Sequence, residues 1–207
     1  MRRVPLYSKS FFSSIAQSSS ALHQVKLIPY IPVVETPKWE VGPFISSIAS
    51  NTAYSLFMEK NFNKESLLIG ANDGLSLLCG YLSEGNWERV TSLSTKELAQ
   101  NLQVLREEAS PIILNALKFS SDDVVHSFVL RSFFTGRRLF KLSESGNLFI
   151  SYIIVSYIRR SQEVPFGLSA SEYLSKYRKD LTVANIGFSR SVNPLGPWKA
   201  NLLNLST

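Results

Sequence analysis

A chain of 207 residues and 23.2 kDa, 44% hydrophobic and 18% charged, is long enough to bury a core without disulfides or a structural metal. The single cysteine, Cys79, excludes an internal disulfide framework, and ordinary apolar content without a repeat excludes collagen-like, coiled-coil and wholly disordered chains. The formal charge is +6, but Arg2, Arg3, Lys9 and Lys26 all precede the first acid, Glu35, leaving 18 basic against 16 acidic residues in the remainder. Global basicity is therefore weak support for nucleic-acid binding.

The first twenty residues combine Arg2, Arg3 and Lys9 with seven serines, the apolar residues Val4, Leu6, Phe11, Phe12 and Ile15, and no acid. That is the pattern of a mitochondrial transit peptide, to which residues 1–28 are assigned. A secretory signal fits poorly, because it needs an unbroken apolar run of about 7–15 residues and Ser and Lys interrupt each cluster here. No stretch reaches the roughly 18 apolar residues of a membrane span, so a soluble or peripheral mature protein is expected. Pro29, Pro32, Pro37 and Pro43 make residues 29–43 an extended linker, although Ile31, Val33, Val34 and Trp39 suit the surface of a neighbouring domain. The folded domain is expected over 44–192, with a C-terminal tail over 193–207.

From Phe44 to Phe119 the pattern is helical. Leu67, Leu68, Ala71, Leu75, Leu78 and Leu82 recur at three- and four-residue steps between a capping Asn63 and a terminating Gly85. Gly70, Gly74 and Gly80 inside this helix each cost about 1 kcal/mol against Ala, which argues for close packing there. Asn86 caps a short helix from Trp87. Ser94 with Glu97 forms a capping box for a helix carrying Leu98, Leu102 and Leu105, and Ser110-Pro111 restarts one through Ile112, Ile113, Ala116 and Leu117.

After Ser121 the texture changes to strands. Val124–Phe134 and Leu148–Ile158 are β-branched and aromatic runs, with a shorter strand between them over Arg137–Leu142 and a turn at Glu144–Asn147. The second run is apolar on both faces and predicts an interior strand. Ser171–Tyr177 predicts one or two helical turns and Thr182–Val192 the last strand. The tail ends in a short helix carrying Trp198, Leu202 and Leu205 at helical spacing. Helices first and strands later argue for an α+β fold, with N-terminal helices on a twisted antiparallel sheet of about four strands, a cystatin-like or NTF-like cone.

Candidate chemistry is sparse. His126, near Asp122 and Asp123, is conceivable as a general base or metal ligand, but its surroundings lack ligand spacing, and a structural histidine is the simpler reading. Cys79 on the apolar face of a helix reads as buried and inert. No nucleophile elbow, phosphate loop or dinucleotide fingerprint occurs, and no cofactor or metal is expected. Arg137, Arg138, Arg159, Arg160, Lys176, Arg178 and Lys179 fall at strand ends or in loops, as one basic edge facing an anionic partner or as a solvated rim. Trp198, Leu202 and Leu205 form either a packed arm or a partner contact.

The run Asn63-Lys64-Glu65-Ser66-Leu67-Leu68-Ile69-Gly70-Ala71, then Leu82-Ser83-Glu84-Gly85-Asn86-Trp87-Glu88, and the closing Val183-Ala184-Asn185-Ile186-Gly187-Phe188 carry a resemblance over roughly residues 62–192. The chain resembles the translocase motor-tether-like domain family. Its members are the motor-tethering subunit of the mitochondrial inner-membrane import translocase, the m-AAA protease-interacting protein and a large-subunit mitoribosomal protein. The resemblance implies an α+β fold with a concave apolar pocket and docking without catalysis. The partners it implies are an inner-membrane protease or translocase, the mitoribosome, or anionic lipid, with no small-molecule substrate. The short chain departs from the import-motor tether, which carries a long charged helical segment before the domain. The expected function is a matrix adaptor or chaperone-like module peripheral to the inner membrane. The alternatives are a mitoribosome-associated anchoring protein and a small α+β isomerase-type enzyme using His126.

Overall fold

Caps and apolar spacing account for the helical half. The computed structural model describes residues 26–28, 34–36, 41–57, 59, 62–136 and 148–206. After a short strand β1 (Lys26–Ile28) come the helices α1 (Val41–Phe57), α2 (Lys64–Glu84), α3 (Trp87–Leu93), α4 (Lys96–Glu108) and α5 (Pro111–Ala116). Helix α2 starts where the Asn63 side chain accepts the Glu65 N–H and stops where Gly85 turns left-handed at φ 75°. Arg106 of α4 completes that end, its Nε donating to the Leu82 carbonyl at 2.8 Å and its Nη2 to that of Ser83 at 3.4 Å. Ala71, Leu75, Leu78, Cys79 and Leu82 form the buried stripe of α2, and burial pushes the Cys79 thiol up to about 12.

Three details of this half differ from the sequence expectations. Helix α1 begins at Val41, inside the expected linker, because Pro43 falls in its first turn, where a missing N–H breaks no helical bond. Helix α4 is capped by Thr95, whose hydroxyl accepts the Leu98 N–H, while Ser94 is buried and donates to the Val90 carbonyl at 2.6 Å. Of the three α2 glycines only Gly74 marks close packing: a Cβ there would meet the Phe188 ring at 3.0 Å, whereas at Gly70 and Gly80 it would meet nothing within 4 Å.

The strand half is one antiparallel sheet of β2 (Val124–Thr135), β3 (Phe149–Arg159), β4 (Leu181–Ser191) and β5 (Lys199–Ser206), with β1 at one edge in the order β1-β5-β4-β3-β2. The fold is thus α+β, as expected. Strand β3 lies inside the sheet and is buried along most of its length. The strand expected over Arg137–Leu142 and its turn lie outside the described residues.

The largest correction is at the C-terminus. Residues 199–206 are not a helix in a separate tail but strand β5, paired along β4 from Ser189↔Lys199 to Val183↔Ser206. The helical spacing of Trp198, Leu202 and Leu205 is coincidental. Leu203 and Leu205 point with Ile186 and Ala184 to the helical layer, and without β5 the interior of β4 would be an open edge. The two strands run close at Gly187, where a Cβ would come within 2.8 Å of the Leu202 Cβ. The folded unit therefore extends beyond residue 192, and its edge strand β1 draws on residues assigned to the leader.

Alternation along the strands divides the sheet into two buried faces. On the inner face Ile150, Tyr152, Ile154, Ile186 and Leu203 pack against Leu75, Leu78, Leu82 and Leu102 of the helices. A polar link crosses this layer, where Asn72 of α2 donates to Ser127 Oγ at 3.1 Å and accepts from Ser156 Oγ at 2.9 Å. On the outer face Val155, Tyr157, Leu181 and Val183 are covered by Val164 and by Tyr173 of helix α6 (Ala170–Lys176). Ser169 and Glu172 start α6 with a reciprocal capping box.

Opposite effects are expected from two alanines in or beside α2. Gly85→Ala forces a left-handed L-residue onto the Arg106 guanidinium and lowers stability by about 1–2 kcal/mol. Gly70→Ala, helical and facing open space, raises it by up to about 1 kcal/mol. Urea denaturation of the two variants checks both.

Candidate functional site

The first turns of α2 stand away from the sheet and leave a pocket of about 260 Å³, walled by Leu67, Gly70 and Ala71 on one side and by Phe188 and Trp198 on the other. Glu59, Phe62, Asn63 and Ser66 complete its rim. Its aromatic wall is continuous. Phe62 stacks on Tyr152 at 5.6 Å between centroids and meets Tyr54 edge-on at 5.0 Å, while Trp198 meets Tyr152 edge-on at 5.7 Å.

A charged knot fixes this wall. Arg190, near the end of β4, donates Nη1 to Glu59 Oε2 and to the Tyr54 hydroxyl, both at 3.1 Å, and Nε to the Gly196 carbonyl at 3.0 Å. The Tyr54 hydroxyl in turn donates to Glu59 Oε2 at 2.6 Å, and the guanidinium lies 5.1 Å from the centroid of Trp198. Burial, reinforced by the hydrogen bond to Glu59, pushes the Tyr54 hydroxyl well above the usual phenol range. Burial does the same to Tyr152, whose hydroxyl has no hydrogen-bond partner among the described residues. Both stay protonated, so neither serves as a base near neutral pH. Among the described residues the one charged group on the pocket rim, Glu59, is ion-paired with Arg190, which leaves a largely apolar recess with small polar groups at its mouth.

The residues singled out in the sequence are scattered. Of the candidate contact residues among those described, Trp198 alone lines the pocket. Leu205 is buried in the core, and Leu202, opposite Gly187, is half-buried; both belong to a paired strand rather than to a separate tail. Arg159 and Arg178 are not part of an open basic surface for an anionic partner. Arg159 donates Nε to Asp123 Oδ1 at 3.3 Å and lies over the Phe166 ring, and Arg178 is ion-paired with Glu35 at 2.6 Å. Both had acidic partners distant in sequence. Arg160, Lys176 and Lys179 are exposed near the end of the sheet where β3 stops and β4 starts, opposite the end that carries the pocket. Arg137 and Arg138 lie outside the described residues.

His126 sits among rings, with centroids 5.9, 5.7 and 6.0 Å from those of Phe128, Tyr157 and Tyr173, and burial lowers its pKa. Its acidic neighbour Asp123 is engaged on both oxygens, by Arg159 and by the Ser120 N–H at 3.0 Å. Among the described residues no group of three or more His, Cys, Asp or Glu side chains is placed to hold a metal ion, and no helix is long and apolar enough to cross a membrane. Sequence reasoning missed Glu59, Phe62 and Arg190 as site residues. The one local signal was Gly70, a helical glycine that nothing packs against. A scan against protein-family models finds no match, and a comparison with curated proteins finds no similar sequence.

Because the folded state holds His126 neutral below its ordinary pKa of 6.5, the unfolded chain binds the extra proton as pH falls. Stability contributed by the neutral ring is thus complete above pH 6.5 and declines below it. Urea denaturation between pH 5 and 8 is expected to show a smaller acid-side loss for His126→Phe than for the wild type.

Proposed function

We propose that this chain is a non-enzymatic mitochondrial matrix module, peripheral to the inner membrane, that docks a protein partner by taking an apolar side chain into the pocket beneath Trp198. The observation that carries the reading is the pocket itself: aromatic walls, one neutralised carboxylate and an open glycine, Gly70, on the helical side. Such a recess suits the capture of an apolar side chain better than the positioning of a reacting group. The acid-free, Arg- and Ser-rich start of the chain supports the mitochondrial address. The resemblance over residues 62–192 supports partners in import, protease assembly or translation. On this reading the chain is an adaptor or chaperone-like protein of the motor-tether-like family and performs no catalysis. It needs no cofactor.

A second reading draws on the cations Arg160, Lys176 and Lys179, which are exposed near one end of the sheet, where phosphates of ribosomal RNA or anionic lipid would meet them. The two separate in one experiment, proximity labelling from the tagged full chain in cells combined with sedimentation of mitochondrial lysate at increasing salt. The wild type is expected to label subunits of an inner-membrane protease or translocase. Gly70→Leu, whose Cβ meets nothing within 4 Å and whose side chain reaches into the pocket, is expected to cut that labelling about ten-fold, the effect of losing about 1.4 kcal/mol, without lowering the melting temperature. Labelling indifferent to Gly70→Leu contradicts the pocket. Co-sedimentation with the large ribosomal subunit, lost in moderate salt, favours the second reading.

A further inference from the structure

On the outer face of the sheet, away from the pocket, the segment Val34–Glu35 is held by side chains from three different places in the fold. Asn185, buried in the middle of β4, donates Nδ2 to the Val34 carbonyl at 2.9 Å and accepts the Val34 N–H on Oδ1 at 2.6 Å. Tyr157 of β3 donates its hydroxyl to the Glu35 carbonyl. Arg178, just before β4, donates Nε and Nη2 to Glu35 Oε1 at 3.1 and 2.6 Å.

The chemistry of this set is that of peptide recognition. The Asn185 amide pairs with both main-chain groups of one residue, as a neighbouring strand would, and Tyr157 reads a third main-chain group. None of these contacts depends on the side chain at position 34. Among the contacts made by these three side chains, that of Arg178 is the one to a side chain, and it reads a carboxylate with two donors. An amide at position 185 is costly to bury among Val155 and Val183 unless main-chain groups meet it, and those groups come from 151 residues away in the chain. Charge points the same way. The exposed Lys176 and Lys179 flank Arg178 in sequence, and the carboxylate drawn to that cationic corner is the first acid of the whole chain.

We propose that the outer face of the sheet is a recognition site for an extended polypeptide segment bearing a glutamate, and that Val34–Glu35 occupies it in cis. A partner segment of the same chemistry gains the site by displacing this strap, which the tether keeps at an effective concentration in the millimolar range. The proposal goes beyond the pocket reading and uses the opposite face of the sheet, so either can fail alone.

The test uses the full chain and a fluorescein-labelled peptide with the sequence of residues 31–38. Val34→Pro together with Glu35→Ala removes the N–H given to Asn185 and the carboxylate held by Arg178. Fluorescence anisotropy is expected to show the peptide binding this double variant at least about ten-fold more tightly than the wild type. Adding Arg178→Ala, or replacing the peptide glutamate by alanine, is expected to abolish that binding. No binding to a cooperatively melting double variant, or binding indifferent to the glutamate, overturns the proposal. If the double variant does not melt cooperatively, the wild type decides. Peptide at about millimolar concentration, the range of the tether's own effective concentration, must then speed hydrogen exchange of the Val34 amide at least about two-fold. An unchanged rate overturns the proposal.

Discussion

One guanidinium joins the parts of this protein that sequence keeps far apart. Arg190 bonds Glu59 and Tyr54, 131 and 136 residues before it, bonds the Gly196 carbonyl in the connection to β5, and lies against Trp198. A charge with only 13% of its side chain exposed is tolerable because each of these partners is an acceptor or a π-face. The end of α1, the end of β4 and the turn into β5 are thereby set relative to one another. The ring cluster of Tyr54, Phe62, Tyr152 and Trp198 follows from that setting, and so does the pocket between the cluster and α2.

The second constraint is the strand order. Inserting β5 between β4 and β1 makes β4 an interior strand, so that β3 and β4 are paired on both sides and buried on both faces. Helices cover one face, where small residues near the start of α2 leave the recess. The other face is covered by α6, its flanking loop and the Val34–Glu35 strap. The two candidate recognition surfaces therefore share a rigid sheet but draw on opposite sides of it, the inner one apolar and aromatic, the outer one built to meet main-chain groups and a carboxylate.

What the sequence disclosed follows the range of the interactions. Helix α2 was legible from end to end because Asn63, Gly85 and a stripe of leucines act within a few turns. Strand β3 was legible because eleven residues apolar on both faces have few other uses. Strand β5 was not, since eight residues with leucines at 202, 203 and 205 satisfy a helical spacing as well as an alternating one, and only pairing with β4 decides between them. The basic edge misled for a related reason. Arg178 reads as a free surface charge until Glu35, 143 residues away, comes beside it, and Arg159 until Asp123 does. The pocket was expected only through family resemblance, because Glu59, Phe62, Phe188, Arg190 and Trp198 share no local pattern.

The role given to Arg190 is tested most directly by a double-mutant cycle on stability with Arg190→Met and Glu59→Gln, measured by urea denaturation. A coupling of about 1–2 kcal/mol is expected, between the values of exposed ion pairs and of buried hydrogen bonds to charged groups. Additivity within about 0.3–0.5 kcal/mol would mean that the pair holds nothing together and that the pocket wall has another support.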